Sequence, residues 1–261
     1  MSRSGVDEYS TKRELIEYCA NPPHNCILGG APYGNTVVQI SSQTVIKFGV
    51  GVTEAEAVNQ SKAYALVDPQ IVRIPKVHRY FSDGKHRGYI VMDFVEGEVL
   101  NPFEDAKRVT KVAGILDHLA SFRRIVPGPL HHGPPCGLIF FPDEGDVPFT
   151  NAKDLEQWWN CRLLPGESAT KLQGLELVLC HLDVAPRNIL WKDGEVPCLV
   201  DWASAGYYPR VFEFCTQLIV EGKDGRFNRL LLEAMTKLEC VESEQIGPVL
   251  QAWSNMQRYR L

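Results

Sequence analysis

The chain has 261 residues, is 44% hydrophobic and 23% charged, and carries a formal net charge of −5. That length allows one large domain or two small ones, and the composition is ordinary for a globular protein. The acidic balance gives no electrostatic case for nucleic-acid binding, and there is no apolar run of about eighteen residues to predict a membrane span.

The N-terminal segment 1–8 is polar and lacks the apolar core of a secretory signal. The 8 cysteines are scattered, without a Cys-x-x-Cys pair, so reduced thiols and a cytoplasmic location are expected. Thr11-Lys12-Arg13-Glu14 is a capping-box pattern and predicts a helix to about Ala20, stopped by Asn21-Pro22-Pro23. Segments 26–28, 36–40 and 44–48 then read as an antiparallel meander. The glycines Gly29, Gly30 and Gly34 fit either a phosphate-draping loop or a plain hairpin. A helix is predicted over 53–67, followed by a hairpin of 78–81 and 88–94 around Ser82-Asp83-Gly84.

Helices are predicted to dominate from there. Apolar positions 109, 113, 116, 119 and 122 predict a helix over 103–126. The Gly- and Pro-rich stretch 127–150 is too long for a plain connector and reads as a functional or lid-like loop. Its acidic residues Asp143, Glu144 and Asp146 fit a solvated loop better than a lure for a cationic substrate. Segment 151–164 is predicted helical, with Leu155, Trp158 and Trp159 on its apolar side. Adjacent helical residues point about 100° apart, so only one of the two tryptophans can face the core squarely. Further helices are predicted at 210–220, 226–238 and the C-terminus. The sheet half and the helical half meet near Glu96-Gly97, where glycine suits a hinge beside a cleft.

The most specific signal is His181-Leu182-Asp183-Val184-Ala185-Pro186-Arg187-Asn188, followed by Val200-Asp201-Trp202. Between them, 189–191 and 197–200 flank Lys192-Asp193-Gly194, a hairpin with Asp-Gly at its tip that brings Asn188 and Asp201 together. Phosphoryl transfer needs a carboxylate to orient and deprotonate the attacking hydroxyl, and hard oxygen ligands for magnesium on the nucleotide phosphates. Asp183 can supply the first, and Asn188 and Asp201 the second. His181 fits a loop-holding role better than proton transfer. Arg187 fits a carboxylate or phosphate partner and a plain surface ion pair equally well.

The segment HLDVAPRNILWKDGEVPCLVDWASAGYYPRVFE resembles the catalytic and magnesium-binding region of the aminoglycoside phosphotransferase and choline kinase group, within the protein-kinase-like superfamily. It looks most like fungal phosphotransferase-family proteins. The resemblance covers about 25–261 and is strongest over 178–214. It implies an α+β, bilobal protein-kinase-like fold: an N-lobe (1–95) with a nucleotide-binding antiparallel sheet plus helix, and a mainly helical C-lobe (96–261) with catalytic loop and acceptor site. It also implies ATP and Mg2+ as cofactors, with Lys47 holding the α- and β-phosphates and pairing with a glutamate of the next helix. Thr53 and Glu56 form a capping-box pattern, which gives Glu56 a structural duty and points to Glu54 as that partner. Met92-Asp93-Phe94-Val95-Glu96-Gly97 matches the inter-lobe linker, where backbone groups of Asp93 and Val95 would read the adenine edge.

The reading that follows is transfer of the ATP γ-phosphate to a hydroxyl of a small metabolite, with neither nucleic acid nor membrane as partner. The alternatives are a nucleotide-binding pseudokinase acting as an interaction protein, or a protein kinase. Asp183, Asn188, Asp201 and Lys47 are all present, against the former. Asp201 is followed by Trp202-Ala203 rather than Phe-Gly, with little room for a peptide platform before the next helix, against the latter.

Overall fold

Residues 6–30, 34–99, 106–140, 148–192 and 194–259 are described by the computed structural model. The chain opens with α1 (Lys12–Ala20), whose capping box forms in both directions between Thr11 and Glu14. Strands β1 (Ile27–Gly30), β2 (Thr36–Gln39) and β3 (Thr44–Gly49) lead into α2 (Glu54–Leu66), then β4 (Val77–Ser82) and β5 (Gly88–Asp93). These strands form one antiparallel sheet in the order β1-β2-β3-β5-β4.

Strand alternation sorts the side chains of this sheet. Ile46 and Phe48 of β3, with Tyr89 and Val91 of β5, pack with Leu15 and Cys19 of α1. Val45, Ile90 and Met92 pack instead with Val52 and Ala57, on the α2 side. Lys47 shares the parity of Val45 and pairs in register with Ile90. The period of two therefore delivers the lysine to the α2 face.

The second half begins with the short β6 (Glu98–Val99) and α3 (Ala106–Leu119). Sequence periodicity extended this helix to 126. The chain instead leaves it after Leu119, and β7 (Arg123–Arg124) pairs with β9 (Leu177–Cys180). The Phe122 carbonyl accepts the Leu179 N–H, so sheet pairing takes the backbone groups that a longer helix would have used. β8 (Gly128–Pro129) and α4 (Ala152–Asn160) precede β9, and β10 (Ile189–Trp191) and β11 (Cys198–Leu199) follow it as a hairpin. β12 (Gly206–Pro209) lies between β9 and β8. Then come α5 (Val211–Ala234), α6 (Cys240–Ser243) and α7 (Ile246–Tyr259).

α5 is one helix where two were expected. Gly222 and Gly225 interrupt its apolar pattern, and each costs about 1 kcal/mol in a helix. Burial of Phe212 and Cys215 before them and of Phe227 and Leu231 after them anchors both halves in the core and overrides that cost. Among the described residues no helix is long and apolar enough to cross a membrane. All eight cysteines are unpaired.

Candidate active site

The loop between β9 and β10 carries the predicted catalytic residues. Asn188 ends a short helical turn, and the β10–β11 hairpin sets the Val200 N–H on the Asn188 carbonyl at 2.9 Å. Asp201 follows directly. Asp183 faces Asn188: the Asn188 amide donates to both the backbone carbonyl and the Oδ2 of Asp183, each at 2.8 Å. Arg187, itself exposed, donates to the other carboxylate oxygen at 2.5 Å, a contact that fits the carboxylate partner and the surface ion pair alike. Burial raises the pKa of Asp183, Arg187 opposes that rise, and Asp201 adds to it.

Leu182 and Asp201 adopt left-handed backbone conformations, with φ of 62° and 66°. For a side chain like Leu that costs roughly 1–2 kcal/mol. Glu213, in the first turn of α5, holds the loop in place. Its Oε2 accepts the N–H groups of His181 and Leu182 at 2.8 and 3.1 Å. Glu213 is buried, and burial pushes its pKa up to about 7. His181 is fully buried and edge-on to Trp202. Its Nδ1 accepts the Asp183 N–H, so the ring proton sits on Nε2, 3.2 Å from the Val200 carbonyl. Burial pushes His181 down to about 4, so the ring is neutral. It fastens both halves of the site through its contacts with Asp183 and Val200. Sequence reasoning gave Glu213 no role. The only signal was a carboxylate within the apolar opening of a helix.

Lys47 reaches this loop from the sheet. Its Nζ lies 2.5 Å from Glu56 Oε1 and 3.1 Å from Asp201 Oδ1. The expected partner, Glu54, is exposed and does not meet the lysine; Glu56 does. The reason is local. The Thr53 hydroxyl accepts the Glu56 N–H, but the return half of the box does not form, and the Glu56 carboxylate turns to Lys47 instead. Burial disfavours the charge on Lys47, and the two carboxylates more than offset it, leaving its pKa raised. Burial raises the pKa of Glu56, and Lys47 opposes it.

The remaining candidates divide. Gly30 has φ 120°, and a Cβ there would sit 2.4 Å from the Asn35 carbonyl, so the tight return of the β1–β2 hairpin alone demands glycine. Residues 31–33 lie outside the described residues, as do Asp143, Glu144 and Asp146. The Asp93 N–H is committed to the Lys76 carbonyl and its carboxylate pairs with His78, so only its carbonyl could read a base. The Val95 backbone forms no turn or loop hydrogen bond among the described residues. Of the tryptophans, Trp159 is fully buried and Trp158 half-exposed, as helical geometry required. Within 127–150, the described residues are folded onto the body. Leu130, Ile139, Phe140 and Phe149 are buried, and Phe140 packs against Trp159, Tyr208 and Phe212.

A model of the phosphotransferase enzyme family matches residues 30–241. The chain belongs to that family. No curated protein matches it. Among solved structures, the apo form of a thermostable mutant of aminoglycoside phosphotransferase APH(4)-Ia superposes with a TM-score of 0.61 at 13% identity, covering 96% of this chain and 91% of that one. Its ternary complex with ADP and hygromycin B gives 0.60 at 14%, covering 94% and 88%. The GDP and kanamycin complex of APH(2")-IIia gives 0.56 at 14%, covering 96% and 93%. This phosphotransferase-family chain therefore has the mixed α+β, two-lobed, protein-kinase-like fold of the aminoglycoside phosphotransferases, as its catalytic segment implied.

Proposed function

We propose that the protein transfers the γ-phosphate of ATP to a hydroxyl of a small molecule. The observation that carries this reading is the convergence of Lys47, from the sheet, with Asp201, from the hairpin that also presents Asn188 against Asp183. In this reading residues 1–95 form the nucleotide lobe and 96–261 the catalytic and acceptor lobe. The acceptor oxygen forms a bond to the γ-phosphorus, the bond from that phosphorus to the β–γ bridging oxygen breaks, and ADP leaves. Asp183 orients the acceptor hydroxyl and takes its proton. Its burial-raised pKa suits a proton acceptor, because an acceptor works best when its pKa approaches the operating pH. Lys47 neutralises charge on the α- and β-phosphates, with Glu56 keeping it extended.

The donor set fits magnesium. The Asn188 amide nitrogen is spent on Asp183, which leaves its carbonyl oxygen as the ligand, and Asp201 adds a carboxylate. Among the described residues there is no group of three or more His, Cys, Asp or Glu arranged to hold a metal. Few protein oxygens suit an ion that keeps waters and phosphate oxygens as its other ligands. Bound there, magnesium would offset charge on the phosphates. The adenine edge would be read at Asp93 and Val95.

The acceptor is a metabolite-sized alcohol, bound between 127–150, the half-exposed Trp158 of α4 and the C-terminal helices. The protein acts in the cytoplasm, and its cysteines are in the reduced form that compartment maintains. The test is a phosphorylation screen of a metabolite pool with labelled ATP and mass readout. One Asp183-dependent product is expected. Efficient Asp183-dependent labelling of casein- or histone-like proteins instead would promote the protein-kinase reading.

A further inference from the structure

Glu56 and Asn59 are three residues apart on α2 and share one face. Asn59 is fully buried. Its Nδ2 lies 3.1, 3.0 and 3.3 Å from the carbonyls of Trp202, Ala203 and Ala205. Its Oδ1 accepts the backbone N–H of His131 at 2.8 Å and faces the ring Nδ1 of His131 at 3.1 Å. An amide has two N–H donors and one oxygen with two lone pairs, so this side chain is saturated.

The three carbonyls belong to the turn that leaves Asp201 in its left-handed conformation. The segment after β8 bonds to that same turn. The Cys136 thiol donates to the Ala203 carbonyl at 3.4 Å, and the Leu130 N–H donates to the Ala205 carbonyl at 3.3 Å. The fit is close. A Cβ on Gly137 would fall 2.2 Å from the Ser204 hydroxyl, and one on Gly133 2.4 Å from His131 Nε2. Lys62, further along α2, donates to the Leu130 carbonyl at 2.7 Å. One helix thus holds the partner of Lys47 through Glu56, the backbone after Asp201 through Asn59, and the segment 130–131 through Asn59 and Lys62.

We propose that Asn59 is a positioning residue: it fixes the aim of the Asp201 carboxylate and, through His131, ties the seating of 130–137 to the metal side of the centre. This rests on the phosphotransferase reading. Coupling free energies are reciprocal, so whatever orders 130–137 from the acceptor side also strengthens magnesium–nucleotide binding, and the reverse.

The experiment is calorimetric binding of AMP-PNP with and without magnesium, which yields the gain in affinity that the ion confers. Asn59→Asp keeps an oxygen for His131 but sets a carboxylate against three carbonyls. It should cut the magnesium gain by about 10–100-fold, the usual effect of losing a group that orients a metal ligand, while affinity without magnesium changes little. His131→Ala, which leaves α2 intact, should cut the gain in the same direction by less, and it carries the test alone if Asn59→Asp does not fold. In an Asp201→Asn background the change at Asn59 should add no further loss. A wild-type magnesium gain retained in both single variants overturns the inference and leaves the phosphotransferase reading standing. A wild-type protein with no magnesium gain overturns that reading, and the inference with it.

Discussion

The proposed nucleotide side and the proposed acceptor side of this centre are held together by different forces. On the nucleotide side, an ammonium sits between two carboxylates, Lys47 with Glu56 and Asp201, contributed by a strand, a helix and a hairpin. On the acceptor side, the described residues are seated by aromatic packing around Phe140 and by hydrogen bonds to the Asn59 side chain and to backbone carbonyls. Charge is specific to residue type and so can be read in a sequence. Packing and carbonyl contacts accept many residue types, so the same sequence points to the phosphotransferase family and says little about the acceptor.

The sharpest way to break this division is Asp183→Ala. Transfer should fall on the order of a hundredfold or more, the range for losing a positioned proton acceptor, while calorimetric AMP-PNP affinity stays close to wild type. Nucleotide affinity lost in parallel with turnover would mean that Asp183 belongs to both sides and that the two are not separable.

What was legible follows the same line. The hairpin joining Asn188 to Asp201 was readable because an Asp-Gly turn and two short apolar runs specify it locally. The lysine was singled out by the family resemblance rather than by its strand, and its partner was not readable. Glu54 and Glu56 both lie in the first turn of α2, and only the tertiary position of Lys47 decides which carboxylate abandons the capping box. Asn59 and Glu213 left no local trace, since their partners are backbone atoms far away in the chain. The missed helix ends have a similar origin. Periodicity saw Phe122 in register with the α3 stripe, whereas β9 claimed the backbone there.

The tryptophan pair of α4 sharpens the acceptor side. Trp159 is fully buried and packs against Phe140 and Phe212. Trp159→Ala should cost about 3–5 kcal/mol in urea unfolding, the range for deleting a large core aromatic. Trp158 is half-exposed, with the Arg162 guanidinium 3.5 Å over its ring. Trp158→Ala should cost clearly less stability and should raise the acceptor KM without changing AMP-PNP affinity. Equal stability losses in the two variants would remove Trp158 from the acceptor wall.

Lys47→Ala tests the nucleotide side. The lysine side chain is 12% exposed and that of Glu56 only 2%. Removing one partner of a buried pair leaves an uncompensated charge and costs about 3 kcal/mol or more. Part of this should be recovered at low pH, where Glu56, whose pKa is already raised by burial, takes up a proton. A variant as stable as wild type at neutral pH would show that Lys47 and Glu56 are not a structural pair, and would leave only the proposed nucleotide role for the lysine.

The smallest effect concerns the two buried titratable groups that grip the catalytic loop. Glu213 is pushed by burial from an ordinary 4.5 up to about 7. The folded protein therefore keeps a proton that the unfolded chain gives up. The resulting stabilisation is full below 4.5 and is lost as the pH rises through about 7. His181 is pushed by burial from 6.5 down to about 4, so the unfolded chain takes a proton that the folded protein refuses. Its contribution is present above 6.5 and is lost as the pH falls toward about 4. Between roughly pH 4.5 and 6.5 the two slopes oppose each other and should nearly cancel in the wild type. Glu213→Gln removes one slope and keeps an oxygen for the His181 and Leu182 N–H groups. Its urea-unfolding stability should rise by about 2 kcal/mol from pH 4.5 to 6.5 relative to wild type, at up to about 1.4 kcal/mol for each pH unit. Above pH 6.5 the variant should level off while the wild type declines. Identical pH profiles for the two proteins would mean that Glu213 is ionised throughout, and that the loop is clamped by a full charge on the nucleotide-side pattern rather than by a neutral acid.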